Sequence, residues 1–470
     1  MSQEIEKFPL TPLTAISPLD GRYWGKVSEL SPFASEFGLI RARFEVEARY
    51  LVELSKVGIV RPLGQQEVEH LLALGPSLTL EQGERVKQIE DTTRHDVKAV
   101  ERGFRELLAG TSMEDLSEYV HIFLTSEDVN NLSYRLLTRR GTDRVIIPAL
   151  DALTDHIMTR ADQYKYLPMM ARTHGQEAVP TTLGKELAVY GVRINEQTRA
   201  LEKHLLKGKL NGAVGNFNSF AVTAPEVDWI AFSKRFVESV GFEPNLFTTQ
   251  INPYDDFVEL FQIYQRANGV VLDLDQDAWR YISDHYLALQ AVKGEVGSST
   301  MPQKVNPIDF ENSEGNLKFA NGVLQVFITA LPISRLQRDL SDSTLIRNVG
   351  VGLAHSLLSY KNTLAGFKRV SANEYAIAEA LNKDWGILGE PVQQVLRMQG
   401  VEDPYTLVTN FVRGRHVSAE DWKSWITTNL PQGISSDARR LLQDLTPQNY
   451  LGYAVKLTDM AQEQIRSSRR

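Results

Sequence analysis

Three stretches of this chain place apolar side chains at steps of three and four, with one step of seven in the first, and that spacing fixes an apolar stripe along each of three long helices. The first runs through Leu183, Leu187, Tyr190, Ile194, Leu201 and Leu205. The second, between Pro253 and Gly294, runs through Phe257, Leu260, Tyr264, Ala267, Val271, Leu274, Ala278 and Tyr281. The third runs through Ile346, Val349, Leu353, Leu357, Tyr360 and Leu364. A helix from Asp255 to Gln290 would be on the order of 50 Å long, at about 1.5 Å per residue, more than one small domain covers. Unshared stripes of that length would be large exposed apolar patches, so a bundle of long helices completed by further copies of the chain is expected. The class is mainly α, with sheet as a minor component.

At 470 residues the chain exceeds the size at which one core stops growing, so two or three domains are expected. Gly and Pro punctuation near residues 108–113 and after about 365 divides it into an N-terminal helical domain (1–113), a central long-helix domain (114–365) and a C-terminal helical domain (366–470). Lys and Arg number 51 against 59 Asp and Glu, a formal charge of −8 with the signs intermixed, which argues against a nucleic-acid polymer or a membrane surface as partner. There is no cysteine, so disulfides, thiolate metal sites and cysteine nucleophiles are excluded. The opening "MSQEIEKFPL" carries acids where a signal peptide needs basic residues before an apolar run, and a cytoplasmic protein is expected.

Against the helical background stand segments too polar for packing to explain: "SPLDGRY" (17–23), "TTRHDVKAVE" (92–101), "HIFLTSEDVNN" (121–131), "ARTHGQ" (171–176), "NGAVGNFN" (211–218), "GSSTMPQKVNP" (297–307) and "SRLQRDLSDSTLIRN" (334–348). Of nine histidines, His70, His156, His204, His285, His355 and His416 lie in ordinary helical or charged contexts, whereas His95, His121 and His174 lie in these segments. His174, between Arg172-Thr173 and Gly175-Gln176, is a candidate general acid or base. No HExxH, no histidine pair at helical ligand spacing and no phosphate-binding GxxxxGK[ST] occurs, so neither a metal nor a cofactor is expected. In residues 297–307, Gly294 and Gly297 permit backbone motion, and Pro302 and Pro307 deny helix continuation until a helix starts near Asp309. The segment reads as a loop able to open and close, offering hydroxyls, an ammonium and an amide to an anion whose charge grows during reaction.

The string from Ser298 to Asn306 resembles the SSxMPxKxN signature of the fumarase and aspartase superfamily, which removes fumarate from substituted succinates by β-elimination; Gln303 occupies a variable position of it. With "SPLDGRY", "TSEDVNNLS", "RTHGQ", "NGAVGN" and "QRDLSDST", the chain from about residue 10 to 460 is similar to the branch acting on succinylated purine nucleotides. The resemblance implies a three-domain, mainly helical protomer whose long helices assemble into a homotetramer, each active site built from three chains. It implies two substrates, adenylosuccinate and the succinyl-carboxamide intermediate SAICAR, which lose fumarate to leave AMP and AICAR. The alternatives are another fumarate-releasing lyase of the superfamily, such as argininosuccinate lyase, and a helical scaffold without turnover.

By the same resemblance Ser298 is the base that takes a carbon-bound proton, with Ser299 as the alternative, and His174 is the acid that protonates the departing nitrogen. Lys304, Val305, Asn306 and Ser299 contact the substrate from the loop. Arg22, Tyr23, Arg94, His95, Asp96, Thr125, Ser126, Gln250, Asn312, Arg338, Ser343, Thr344, Leu345, Ile346 and Arg347 line the pocket, and His121 supports it by orienting neighbours. The chemistry demands several groups at once. A base supplies about 10² to 10⁴ in rate and one oxyanion donor roughly 10² to 10³, whereas enzymes commonly need 10⁶ or more.

Overall fold

The computed structural model describes residues 7–291, 301 and 303–469. The chain is mainly helical, and its contacts divide it into two compact units, one comprising Met1–Ala149, Ala200–Gly269 and Gly315–Lys361, the other Leu150–Arg199, Val270–Glu314 and Asn362–Arg470.

In the first unit, α1 (Glu36–Lys56) starts at Ser35, whose hydroxyl accepts from the Gly38 N–H at 3.1 Å. It is buried on most of its circumference: Leu39, Ile40, Phe44, Val46, Leu51 and Leu54 are core, and so are the charged Arg43, Glu45 and Glu47. Tyr50 packs edge-on against Phe232 and Phe236. Farther on, α2 (Leu80–Thr93) opens on a Thr79/Gln82 capping box and stops at Arg94, which adopts the left-handed conformation (φ 53°). That turn leads directly into α3 (Asp96–Leu108), whose N-cap is His95: the ring Nδ1 accepts from the Lys98 N–H at 3.1 Å. Farther along, α4 (Ser126–Gly141) begins where the Thr125 N–H donates to the Asp128 carboxylate at 2.9 Å.

The second unit contains a hairpin of β1 (Pro168–Thr173) and β2 (Gln176–Thr182), paired antiparallel with Thr173 opposite Gln176. Its two loop residues, His174 and Gly175, both have positive φ (54° and 74°), the requirement of a two-residue turn that follows the natural twist of the strands. Later in the chain come α5 (Leu183–Lys203), α6 (Asp255–Ser283), β3 (Leu287–Leu289), α7 (Ile308–Ala330), α8 (Val349–Lys368) and β4 (Val370–Ala372), with β3 and β4 antiparallel; residues 200–203 of α5, 255–269 of α6, 315–330 of α7 and 349–361 of α8 count with the first unit. The C-terminal helices close on a separate core of Trp385, Leu388, Val392, Leu396, Val408, Trp422, Trp425 and Ile426.

The three periodic stripes are core. Leu183, Leu187, Tyr190, Ile194 and Leu201 are buried, as are the residues from Phe257 to Ala278 and from Ile346 to Tyr360 in the other two. Two boundaries differ from the sequence reading. Leu205 lies beyond the end of α5 and is exposed. The helix expected to reach Gln290 stops at Ser283, which makes it roughly 44 Å long. His285 there takes the left-handed conformation (φ 62°), its N–H bonds to Ile282 O and the Tyr286 N–H to Tyr281 O, a Schellman ending with histidine where glycine is usual. The apolar residues that follow are strand β3. Among the described residues no helix is long and apolar enough to cross a membrane.

Candidate active site

Within the first unit the polar segments of the sequence converge on buried charges. Asp96 receives Arg43 Nη2 at 2.6 Å and Arg347 Nη2 at 2.7 Å, and Arg347 also reaches Glu36 at 3.1 Å. Arg43 Nε donates to Asn130 at 2.9 Å, so the "RHD" turn, the "TSEDVNN" helix and the "STLIR" segment are tied through one carboxylate and one guanidinium. Burial works against ionisation of Asp96, but the charge of Arg43 and the hydrogen bonds from Arg43 and Arg347 outweigh it and hold its carboxyl well below the usual range.

A second knot forms at Asp128, which is fully buried. Its oxygens accept from the backbone N–H groups of Thr125 (2.9 Å), Asn211 (3.0 Å) and Gly212 (3.1 Å), and the buried Lys209 ammonium stands 3.2 Å away. A single carboxylate therefore fixes "TSED" against "NGAVGN". Gly215 completes that loop: a Cβ there would lie 2.2 Å from the Thr248 carbonyl oxygen.

Beside these lies Arg338, whose Nη2 is 3.3 Å from Glu127 and whose Nη1 donates to Gln250 at 3.3 Å; Gln250 in turn donates to Ala213 O at 3.0 Å. Asp342, at 3.8 Å from Arg338, also accepts from the Tyr254 hydroxyl at 3.0 Å. Burial raises the Glu127 carboxyl to about 7, because the Arg338 charge is offset in part by Asp342. His121, in the left-handed conformation at φ 65°, points Nδ1 at Glu47 Oε1, 2.5 Å away. Burial disfavours the imidazolium there, and the charge of Glu47 more than compensates, so its pKa rises.

The remaining predicted residues of this unit are distributed more openly. Arg22, Arg94, His95 and Thr344 are exposed, and Tyr23, Thr125, Ser126, Ser343 and Leu345 are half-buried. Ile346 is buried, with its side chain in the core. A cleft of about 290 Å³ is lined by Ser17, Leu19 and Asp20 of "SPLDGRY" together with Arg347.

In the second unit His174 is exposed at the hairpin tip, and Arg172 beside it donates to the Tyr286 hydroxyl at 3.3 Å. Lys304 and Val305 are exposed, and Asn306 is half-buried just ahead of α7. Asn312, on the first turns of α7, accepts from Asn362 Nδ2 at 2.5 Å. Ser298 and Ser299, with Gly294, Gly297 and Pro302, lie outside the described residues. Among the described residues no three His, Asp or Glu side chains are grouped to hold a metal ion.

The family described as lyase matches residues 23–322, and the one described as adenylosuccinate lyase C-terminal matches residues 334–451. The adenylosuccinate lyase of Escherichia coli (strain K12) is 43% identical over 454 residues, covering 96% of this chain and 99% of that protein. The chain belongs to the adenylosuccinate lyase family. Its adenylosuccinate lyase relative from Dictyostelium discoideum is 41% identical, covering 94% of this chain and 97% of its own. The fold alone is shared more widely. The 3-carboxy-cis,cis-muconate lactonizing enzyme from Pseudomonas putida superposes with a TM-score of 0.73 at 17% identity over 94% of this chain and 98% of its own. A fumarate lyase from Mesorhizobium gives the same TM-score at 17% identity, over 92% and 97%. The mainly α architecture read from the helical stripes is thus the fold of these two enzymes.

Within this adenylosuccinate lyase family member, sequence reading did not single out Arg43, Glu47, Glu127, Asp128, Lys209 or Tyr254, the charged and hydrogen-bonding groups that hold the predicted contact residues in place. A signal was available for two of them. Arg43 and Glu47 sit one turn apart on α1 among residues that are otherwise core, where a charge requires a partner.

Proposed function

We propose that the chain catalyses β-elimination of fumarate from adenylosuccinate, giving AMP, and from SAICAR, giving AICAR, as a C–N lyase of purine nucleotide biosynthesis. The observation that carries this reading is identity of 43% to an adenylosuccinate lyase along nearly the whole length of both chains, with the C-terminal family match beside it. In the proposed reaction Ser298 removes the proton from the carbon next to a carboxylate. The electron pair is held as a carbanion delocalised into that carboxylate, the C–N bond breaks, and His174 delivers a proton to the departing nitrogen. Lys304 and Asn306 stabilise the extra negative charge, while Arg338 and Arg347 grip the carboxylates and phosphate of the substrate.

The position of His174 supports its role. A two-residue turn with both φ values positive fixes the direction in which the His174 side chain leaves the backbone, and on the exposed hairpin tip the imidazole can reach a site on another protomer. We accordingly take the assembly to be a cytoplasmic homotetramer with each site shared among three chains, built from domains 1–113, 114–365 and 366–470. Arg22, Tyr23, Arg94, His95, Asp96, Thr125, Ser126, Gln250, Ser299, Val305, Asn312 and Ser343 to Arg347 complete the pocket, with His121 held behind it by Glu47.

The test is the appearance of fumarate from purified protein given adenylosuccinate, SAICAR or argininosuccinate in turn. Ser298→Ala and His174→Ala are each expected to assemble normally and lose at least about 10² in turnover. Near-normal turnover in either variant overturns that residue's role. Mixing the two inactive variants is expected to restore part of the activity, and failure after verified subunit exchange refutes the shared site.

A further inference from the structure

The two faces of α1 carry different charges. Arg43 and Glu47, four residues apart, face Asp96 and His121. Arg41, Glu45 and Arg49, spaced by four on the other face, line a separate cleft of about 500 Å³. Arg140 and Arg144 enter the same cleft from the end of α4 and the π-helical turn Thr142–Ile146 that follows it. Pro32, Phe33, Ala42, Pro76 and Leu137 supply apolar walls. Four guanidiniums thus face one carboxylate, Glu45, which Arg140 grips with both terminal nitrogens at 2.7 and 2.8 Å and Arg49 reaches at 3.1 Å. Arg41 is held by the carbonyls of Gly75 and Pro76. The exposed Arg144 adds a fourth cation with no carboxylate added to match it, leaving the cleft three positive charges in excess on a chain whose formal net charge is −8.

We propose that this cleft binds the polyphosphate chain of a nucleotide-sized anion, outside the substrate pocket. Arginine forks pair with phosphate oxygens two at a time, and guanidiniums already held in place by Glu45 and by backbone carbonyls lose little freedom on doing so. The volume suits a nucleoside with its phosphates, and the apolar walls suit its base. Phe33 and Leu137 also line the crevice that contains Glu36, Tyr134 and Arg347, so a ligand seated here shares two wall residues with the group proposed to grip substrate.

Calorimetric titration of the full-length protein, first saturated with AMP, against inorganic tripolyphosphate and against ATP tests the site without measuring turnover. Both are expected to bind, more weakly as salt rises, and ATP more tightly than tripolyphosphate if the apolar walls take the base. Equal affinities would place only the phosphate chain in the cleft. Loss of a charge-assisted contact in Arg144→Ala is expected to weaken binding about tenfold or more. Arg347→Ala is expected to leave tripolyphosphate binding unchanged, which separates this site from the substrate pocket. Absence of heat with either anion at millimolar concentration and low salt, or binding that survives Arg144→Ala and Arg49→Gln intact, overturns the proposal.

Discussion

Glu127→Gln probes the least comfortable charge in the structure. Its carboxyl is fully buried, the Arg338 guanidinium is 3.3 Å away, and Asp342 competes for that same cation. Burial dominates and raises the pKa from 4.5 to about 7. Between those values the folded protein binds a proton that the unfolded chain has released, so stability falls as pH rises from 4.5 towards 7 and stays at its lower level above. At 1.36 kcal/mol per pKa unit, the gap corresponds to about 3 kcal/mol at pH 8. Glutamine has the shape of the protonated acid and never ionises. The variant should therefore match the parent near pH 5 and exceed it by up to about 3 kcal/mol at pH 8, an apparent Tm gain of roughly 3 °C for a chain of this length. Differential scanning fluorimetry of both proteins across pH 5 to 8 reads this directly. A variant less stable than the parent at every pH would show that Glu127 is ionised throughout and that its pairing with Arg338 outweighs burial.

Other substitutions test other parts of the site. Asp128→Ala leaves the Lys209 ammonium buried without its carboxylate and strips the acceptor from three backbone N–H groups, and is expected to cost about 3 to 5 kcal/mol, measurable by chemical denaturation. Gly175→Val forces a β-branched residue into φ 74° at the hairpin turn, with an expected loss of about 1 to 2 kcal/mol. Fumarate release should fall further than that loss explains, because the turn carries His174, the proposed acid.

The long helices were legible because burial imposes a period, which Val271 and its neighbours keep throughout and which the stripe of Leu187 breaks only at Thr198. The end of α6 was not, since His285 replaces the glycine that usually marks a Schellman ending and the apolar Leu287 and Leu289 extend the pattern into a strand. The β1–β2 hairpin was read only as a polar segment around His174, because its strands are short and the bulge between Met170 and Arg172 breaks their alternation. For the site, short motifs gave the exposed and half-buried residues proposed as contacts. Sequence separation hid the supports: Asp96 meets Arg347 across 251 positions and Asp128 meets Asn211 across 83, and no local pattern specifies such pairs.

The carboxylate of Asp128 has a consequence for how this chain can be recombined. It holds the backbone at Thr125 and the backbone at Asn211 and Gly212 as one rigid piece, although more than eighty residues of chain lie between them. A chimera that takes either segment from a distant relative inherits half of a matched joint. Crossovers that move both together, or neither, are the ones that keep it whole.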